Sequence, residues 1–365
     1  MSTPLPVDRS VWVIYFKWHF TPWGPGAHWQ GWTGQAHWSS RNQRYQYAAR
    51  TTDPDRYSGI GRRDLVTSHY PMPGPYDQLS EETLRHHLGM IRAAGIDGLL
   101  ISYYGPDAWI GKDGVNDVIV DKIVRLAPGY DLRVGLLLDG WPTMETDLKA
   151  YAERLLPFWE RFRENPTCLV EDGRIPVQLW AFNVNLRYEG SKIFLDHCQR
   201  MGIRLYGITG CPTSPAEDPV RYMSLFDASG TYGGEDDCGT VNVVRFCREA
   251  GRKVFLNVQA GGDVTGGEVR DKHPYPNIRR HKGRHYLHRW RLASELGADA
   301  VLITSWNEWF EGTEIEPSRE YGFHYVRMTK YLSRLFKEGR WSEYDDAEME
   351  AALNWTPEQV LSAMR

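Results

Sequence analysis

Eight short apolar runs separated by longer amphipathic segments constrain this chain more than any other feature. In order they are VWVIYF (11–16), GLLISY (98–103), RVGLLL (133–138), IPVQLW (175–180), RLYGIT (204–209), FDASGTY (226–232), KVFLNVQ (253–259) and AVLITS (300–305). Each has the length and the β-branched or aromatic content of a buried strand. Helical patterns lie between them. SEETLRHHLGMIRAAG opens on Ser80 as a cap and puts Leu84, Leu88 and Ile91 on one stripe. TDLKAYAERLLPFWERFRE and VNVVRFCREAG read the same way, the second stopping at Gly251. RHYLHRWRLASELGAD and FHYVRMTKYLSRLFKEG complete the set. Strand–helix alternation predicts a parallel sheet, and eight repeats predict its closure. The competing arrangement, an open doubly wound sheet, is disfavoured because no glycine-rich phosphate loop follows an early strand. The expected fold class is therefore α/β, a single-domain (β/α)8 TIM barrel over residues 1–340, with a short helical extension over 341–365 packed on it.

The connection between the first two strands, roughly residues 17–78, is far longer than an ordinary βα loop, and such loops are usually functional. It carries most of a cluster of tryptophans, Trp12, Trp18, Trp23, Trp29, Trp32 and Trp38, in a chain with 15 Trp, 20 Tyr and 12 Phe. They are too closely spaced for all to be core, and aromatic rings on loops are platforms for the apolar faces of sugars or bases. A net charge of -4 supplies no basic field to attract nucleic acid or an acidic membrane, so a partner must be recognised locally. Cys168, Cys198, Cys211, Cys238 and Cys247 are odd in number, and none stands in a CxxC pair, so they read as reduced thiols. MSTPLPVDRSVWVIYF lacks a basic region leading into a long apolar one, and no run approaches a membrane span. The expectation is a cytoplasmic protein, or a secreted or periplasmic one if a leader has been removed.

The stretch ITSWNEWFEGTEIEPS (303–318) is where the eighth strand passes into its loop, the place a barrel offers for catalysis. Glu308 and Glu311 are three apart, so a helical turn brings both carboxylates to one ligand. Paired carboxylates can divide acid and base work, especially where indoles such as Trp306 and Trp309 exclude water. Asn307 is placed to position a hydroxyl. Asp139 has the equivalent strand-end position after the third strand, where it reads equally as a turn cap. Tyr103, Tyr104, Gln178, Trp180, Tyr232, Asn257 and Gln259 also fall at strand ends, some of them necessarily core. His281, His285 and His288 have metal-pair spacing but no HExxH context, so no metal is expected. The basic segment RRHKGRHYLHRWR reads as a solvated helix face, and no GxSxG elbow is present.

NEWFEGTEIE resembles the signature NEWHEGTQIE of glycoside hydrolase family 99, the endo-α-mannosidases. IYFKWH at the first strand, the HW at His37 and Trp38, the run SHYPMPGPYDQLSEETLRHHLGMIRAAGIDGLLISYYGP and KGRHY before the last strand extend the resemblance over roughly residues 11–335. It implies a (β/α)8 fold, no cofactor or metal, an oligo- or polysaccharide substrate, and net-retaining cleavage of internal α-mannosidic bonds through a 1,2-anhydro sugar. By motif position Glu308 matches the residue that deprotonates the 2-hydroxyl, and Glu311 the general acid and later base. Asp139, Tyr104, Trp180, Tyr232, Asn257, Tyr286, Trp306, Asn307 and Trp38 are the expected sugar-binding residues. Three departures fall near the sugar: Phe310 for the usual histidine, LLLDGW around Asp139 for IEPY, and no tyrosine in NVQAGGDVTGG. They leave open a related hydrolase on an α-glucan or bacterial surface polysaccharide, or a silent carbohydrate-binding or glycan-assembly protein on the same fold.

Overall fold

A computed structural model describes residues 7–33, 52–59, 61–104, 115–139, 142, 144–212, 217–230, 232–233, 236–263 and 277–354. Eight parallel strands close into a barrel: β1 (Ser10–Tyr15), β2 (Gly98–Tyr103), β3 (Arg133–Leu138), β4 (Ile175–Leu179), β5 (Leu205–Thr209), β6 (Ala228–Ser229), β7 (Lys253–Gln259) and β8 (Ala300–Thr304). Their spatial order follows the chain, and β1 pairs β8, with Ser10 opposite Ala300, to complete the ring. The expected barrel is thus present, and the competing open sheet is excluded. FDASGTY supplies only two residues of strand, the one apolar run that is markedly shorter than expected.

Helices α1 (Glu81–Ala93), α2 (Val115–Leu126), α3 (Leu148–Arg154), α4 (Leu156–Arg163), α5 (Phe182–Asn185), α6 (Arg187–Arg200), α7 (Pro219–Met223), α8 (Asp237–Glu249), α9 (Arg284–Glu295), α10 (His324–Glu338) and α11 (Asp346–Leu353) follow the strands. The segment read as one helix after β3 divides into α3 and α4 at Leu155, next to Pro157, which has no N–H to continue the ladder. Ser80 stands in extended geometry before α1 but makes no side-chain cap bond; Glu81 and Glu82 provide the first-turn negative charge instead. Past Trp341, α11 lies on α10, where the Tyr331 hydroxyl donates to Glu348 at 3.3 Å. No helix among the described residues is long and apolar enough to cross a membrane.

The period of two along each strand sorts side chains into two cores. Trp12, Ile14 and Phe16 of the first strand and its exit, Leu100, Leu137, Tyr206, Ile208, Phe255 and Leu302 fill the barrel, while Val11, Val13, Tyr15, Leu99, Ile101, Tyr103, Leu136 and Leu138 pack against the helices. Continuing the inward parity to and past the strand ends reaches Trp18, Tyr104, Asp139, Trp180, Asn257 and Gln259. The floor of a site at the C-terminal mouth is thus set by the same alternation that fills the barrel.

Candidate active site

The peptide leaving β8, Thr304–Ser305, is cis. The chain then folds into a tight loop closed by its own hydrogen bonds. Ser305 N–H donates to Thr313 C=O at 3.1 Å, their hydroxyls meet at 2.9 Å, and Glu308 N–H donates to the Ser305 hydroxyl at 2.9 Å. Gly312 sits at φ 61°, and a Cβ there would stand 2.6 Å from Asp263 O, so glycine is required where this loop backs onto the one after β7. Glu308 and Glu311 are held on this single turn.

Glu308 is buried, 2% exposed, and Glu311 is partly so. Burial first, then repulsion from Glu311 and Asp139, raises the Glu308 carboxyl well above its ordinary range, with the Phe310 and Glu311 N–H groups partly opposing the shift. Burial also raises Glu311, opposed by the hydroxyl of Tyr232, which donates to Glu311 Oε2 at 2.9 Å. The pair therefore favours holding one proton between them, one carboxylic acid beside one carboxylate. In the unliganded site Tyr232 favours the anion on Glu311. Tyr104 faces both glutamates; its hydroxyl bonds Asp139, and burial followed by the Asp139, Glu308 and Glu311 charges holds it protonated.

Aromatic rings wall this cluster. Trp18 packs on Phe16 at 4.7 Å and on Tyr104 at 6.0 Å, and Trp180 meets Tyr232 edge-on at 5.0 Å between centroids. Asn257 donates to Thr304 Oγ1 at 2.5 Å on the barrel floor. Of the sugar-binding residues expected from sequence, the structure gathers Tyr104, Asp139, Trp180, Tyr232 and Asn257 around the two glutamates. Trp38 lies outside the described residues.

Three expected sugar contacts need correction. Trp306 is fully buried on the helix side, its ring 6.3 Å from that of His87. Tyr286 is fully buried between α9 and α10, its hydroxyl 2.9 Å from Thr329 Oγ1. Asn307 is fully buried with its amide spent on Phe16 and Tyr76: Oδ1 accepts from Phe16 N–H and Nδ2 donates to Phe16 C=O, both at 2.8 Å, and Nδ2 also reaches the Tyr76 hydroxyl at 3.5 Å. It ties β1 to the glutamate loop and does not reach the cleft. Trp309, expected to dry the site, is buried beneath the long first loop, where its indole N–H donates to the Tyr76 hydroxyl at 3.0 Å.

The remaining two glutamates of the motif are structural. Glu314 accepts from Arg280 at 2.7 Å and lies 2.8 Å from His69 Nδ1; Arg280 also caps the carbonyls of Gly312 and Glu314 at 3.0 and 2.7 Å. Glu316 accepts from the Tyr76 hydroxyl at 2.8 Å and lies 3.1 Å from His87 Nε2. Sequence reading placed Trp18 only in the general tryptophan cluster and gave Arg280 no role in the site. The strand parity marked Trp18, whereas nothing local marked Arg280. Among the described residues no group of three or more His, Cys, Asp or Glu side chains is arranged to hold a metal, and His288 is bonded to Asp237 at 3.0 Å.

Known proteins with this arrangement share its architecture. A family described as Glycosyltransferase WbsX matches residues 276–329. The rat glycoprotein endo-alpha-1,2-mannosidase is 24% identical over 96% of this chain and 78% of its own length, and a zebrafish glycoprotein endo-alpha-1,2-mannosidase-like protein is 22% identical over 85% and 72%. The structure of the GH99 endo-alpha-mannosidase from Bacteroides thetaiotaomicron superposes with a TM-score of 0.67 at 16% identity, covering 91% of this chain and 99% of that one. Motif, fold and similarity along most of its length agree: the chain resembles the endo-alpha-mannosidases of glycoside hydrolase family 99.

Proposed function

We propose that the protein is a retaining, endo-acting glycoside hydrolase that cleaves internal α-mannosidic linkages of the α-1,2-mannan type. The observation that carries this is the Glu308–Glu311 pair on one turn, with Tyr232 donating to Glu311, faced by the Tyr104–Asp139 pair and walled by indoles. Glu308 takes the proton of the C2 hydroxyl as that oxygen bonds C1, while the glycosidic C1–O bond breaks and Glu311 protonates the leaving oxygen. Glu311 then takes a proton from water as the water oxygen bonds C1, the C1–O2 bond opens, and Glu308 returns its proton to O2. Two inversions give net retention. These roles need the shared proton on Glu311 in the complex, the reverse of the unliganded preference. A C2 hydroxyl donating to Glu308 stabilises the anion there and supplies that reversal.

Incubating wild type and Glu311→Gln with α-1,2-linked manno-oligosaccharides and yeast-type mannan tests the reading, with products followed by mass and anomeric NMR. Wild type is expected to release α-configured di- or longer saccharides, and the variant to lose roughly 10²–10⁴-fold in turnover while still binding glycan. Release from α-glucans but from no α-mannan would replace the substrate class. The WbsX match favours a second reading, glycan assembly on the same site. Reducing sugar released without any activated sugar donor rejects it.

A further inference from the structure

Five residues beyond Trp18, which lines the catalytic cluster, Trp23 is 57% exposed, and Tyr57 beside it is 63% exposed. They are not stray surface hydrophobes. The Arg63 guanidinium lies over both rings, 4.7 Å from the Trp23 centroid and 4.9 Å from that of Tyr57, and it also faces Trp29 at 5.6 Å. Trp29 meets Trp23 edge-on at 4.8 Å and donates its indole N–H to Asp55 at 2.9 Å, while Arg63 Nη1 donates to Pro54 C=O at 2.8 Å. Arg63 thus supports each ring from one side and leaves much of its remaining surface to solvent. Rings held this way need little further ordering to bind a ligand. Exposed apolar surface that is preorganised, grouped and ringed by hydrogen-bonding groups marks a recognition site.

We infer that Trp23 and Tyr57 form a remote stacking platform for the sugar rings of an extended glycan whose scissile bond lies at Glu308 and Glu311. The inference rests on the proposed function. The size of the patch favours a sugar chain over a protein. The exposed parts of the two rings come to on the order of 300 Å², well short of the ~800 Å² per partner of a stable protein interface. Its position favours continuity with the cleft: five residues of chain reach at most about 18 Å, so Trp23 is a few hexose units from Trp18. Apolar faces of pyranose rings stack on the indole and phenol, and Asp55 and Arg63 stand at the edge for hydroxyl groups.

The test compares KM for yeast-type mannan with KM for a short α-1,2-linked manno-oligosaccharide in wild type, in the double variant Trp23→Ala/Tyr57→Ala and in Trp23→Tyr/Tyr57→Phe. Migration in mannan-containing native gels follows binding alongside. The alanine variant is expected to raise KM on the polymer about tenfold and to lose gel retardation, with KM on the short substrate and kcat on both within twofold of wild type. The aromatic variant should restore polymer affinity, which a merely structural role would not predict. Equal polymer KM and equal retardation in wild type and alanine variant would overturn the platform while leaving the function standing. A wild type that turns over neither glycan would remove the functional reading and this inference together.

Discussion

Replacing Asn307 by leucine tests how the glutamate loop is held. The side chain is fully buried, and its amide makes two 2.8 Å bonds to the N–H and C=O of Phe16, the first residue beyond β1. Leucine is close in volume, so the loss is in hydrogen bonding and not in a cavity. The Phe16 carbonyl keeps Gln78 Nε2 at 2.6 Å, whereas the N–H loses its acceptor. A stranded buried donor costs about 1–3 kcal/mol and the lost bond to the carbonyl about another 1 kcal/mol, together ~3 kcal/mol. For 365 residues, an unfolding entropy of roughly 2.1 cal/mol/K per residue amounts to about 0.8 kcal/mol/K, so Tm should fall by about 4 °C. Glu308 is the next residue in the chain, and a displacement of its carboxylate by a fraction of an ångström to an ångström should lower kcat by up to about 10²-fold. Calorimetry gives the first number and turnover of an α-1,2-linked manno-oligosaccharide the second. A Tm within 1 °C of wild type together with unchanged kcat would refute the claim that this amide joins β1 to the catalytic turn.

Other perturbations follow from the same geometry. In Tyr232→Phe the hydroxyl that steadies the Glu311 anion is gone, so Glu311 holds its proton more tightly and the alkaline limb of the kcat/KM profile should move to higher pH; an unmoved limb argues against Glu311 as the acid. Glu308, raised by burial and by Glu311 above the unfolded value of 4.5, binds its proton more tightly when folded. Wild-type stability contributed by this group is therefore lost as pH rises from 4.5 through the folded-state value, and Glu308→Gln should raise Tm at pH 8 but not at pH 4. A gain that is the same at both pH values would contradict that sign. Arg280→Met leaves the Glu314 carboxylate, 1% exposed, without its guanidinium, which costs about 3–5 kcal/mol, about 4–6 °C in Tm; Arg280→Lys should recover part of it, and full stability in the methionine variant would show the ion pair to be dispensable.

The barrel was legible because its cause is local. Apolar runs of strand length, repeated eight times with helical segments between, leave few ways to bury themselves, and seven of the eight runs lie within a residue of the observed strands at both ends. The exception is FDASGTY, of which only Ala228–Ser229 is strand, although Asp227 and Gly230 on either side still bond to the neighbouring strands. Tyr104, Asp139, Trp180 and Asn257 could be named from their strand-end positions, and the period of two, which aims every second residue at or near a strand end inward, explains why these face the mouth.

Where that period stops applying, sequence reading lost its hold. Trp306 and Asn307 lie beyond β8, and their directions are set by contacts to Ile14 and Phe16, nearly 300 positions earlier in the chain. Tyr286 belongs to a helix face that only the docking of α10 hides. The motif's four glutamates look alike on the page, and the fold separates them. Glu308 and Glu311 face the mouth as a mutually repelling pair, while Glu314 and Glu316 receive partners from residues 280, 69, 76 and 87 and become buried struts. Local propensity and alternation fixed where strands and their ends fall. Which carboxylates stay unneutralised, and which rings stay uncovered, depended on long-range partners that no local pattern encodes.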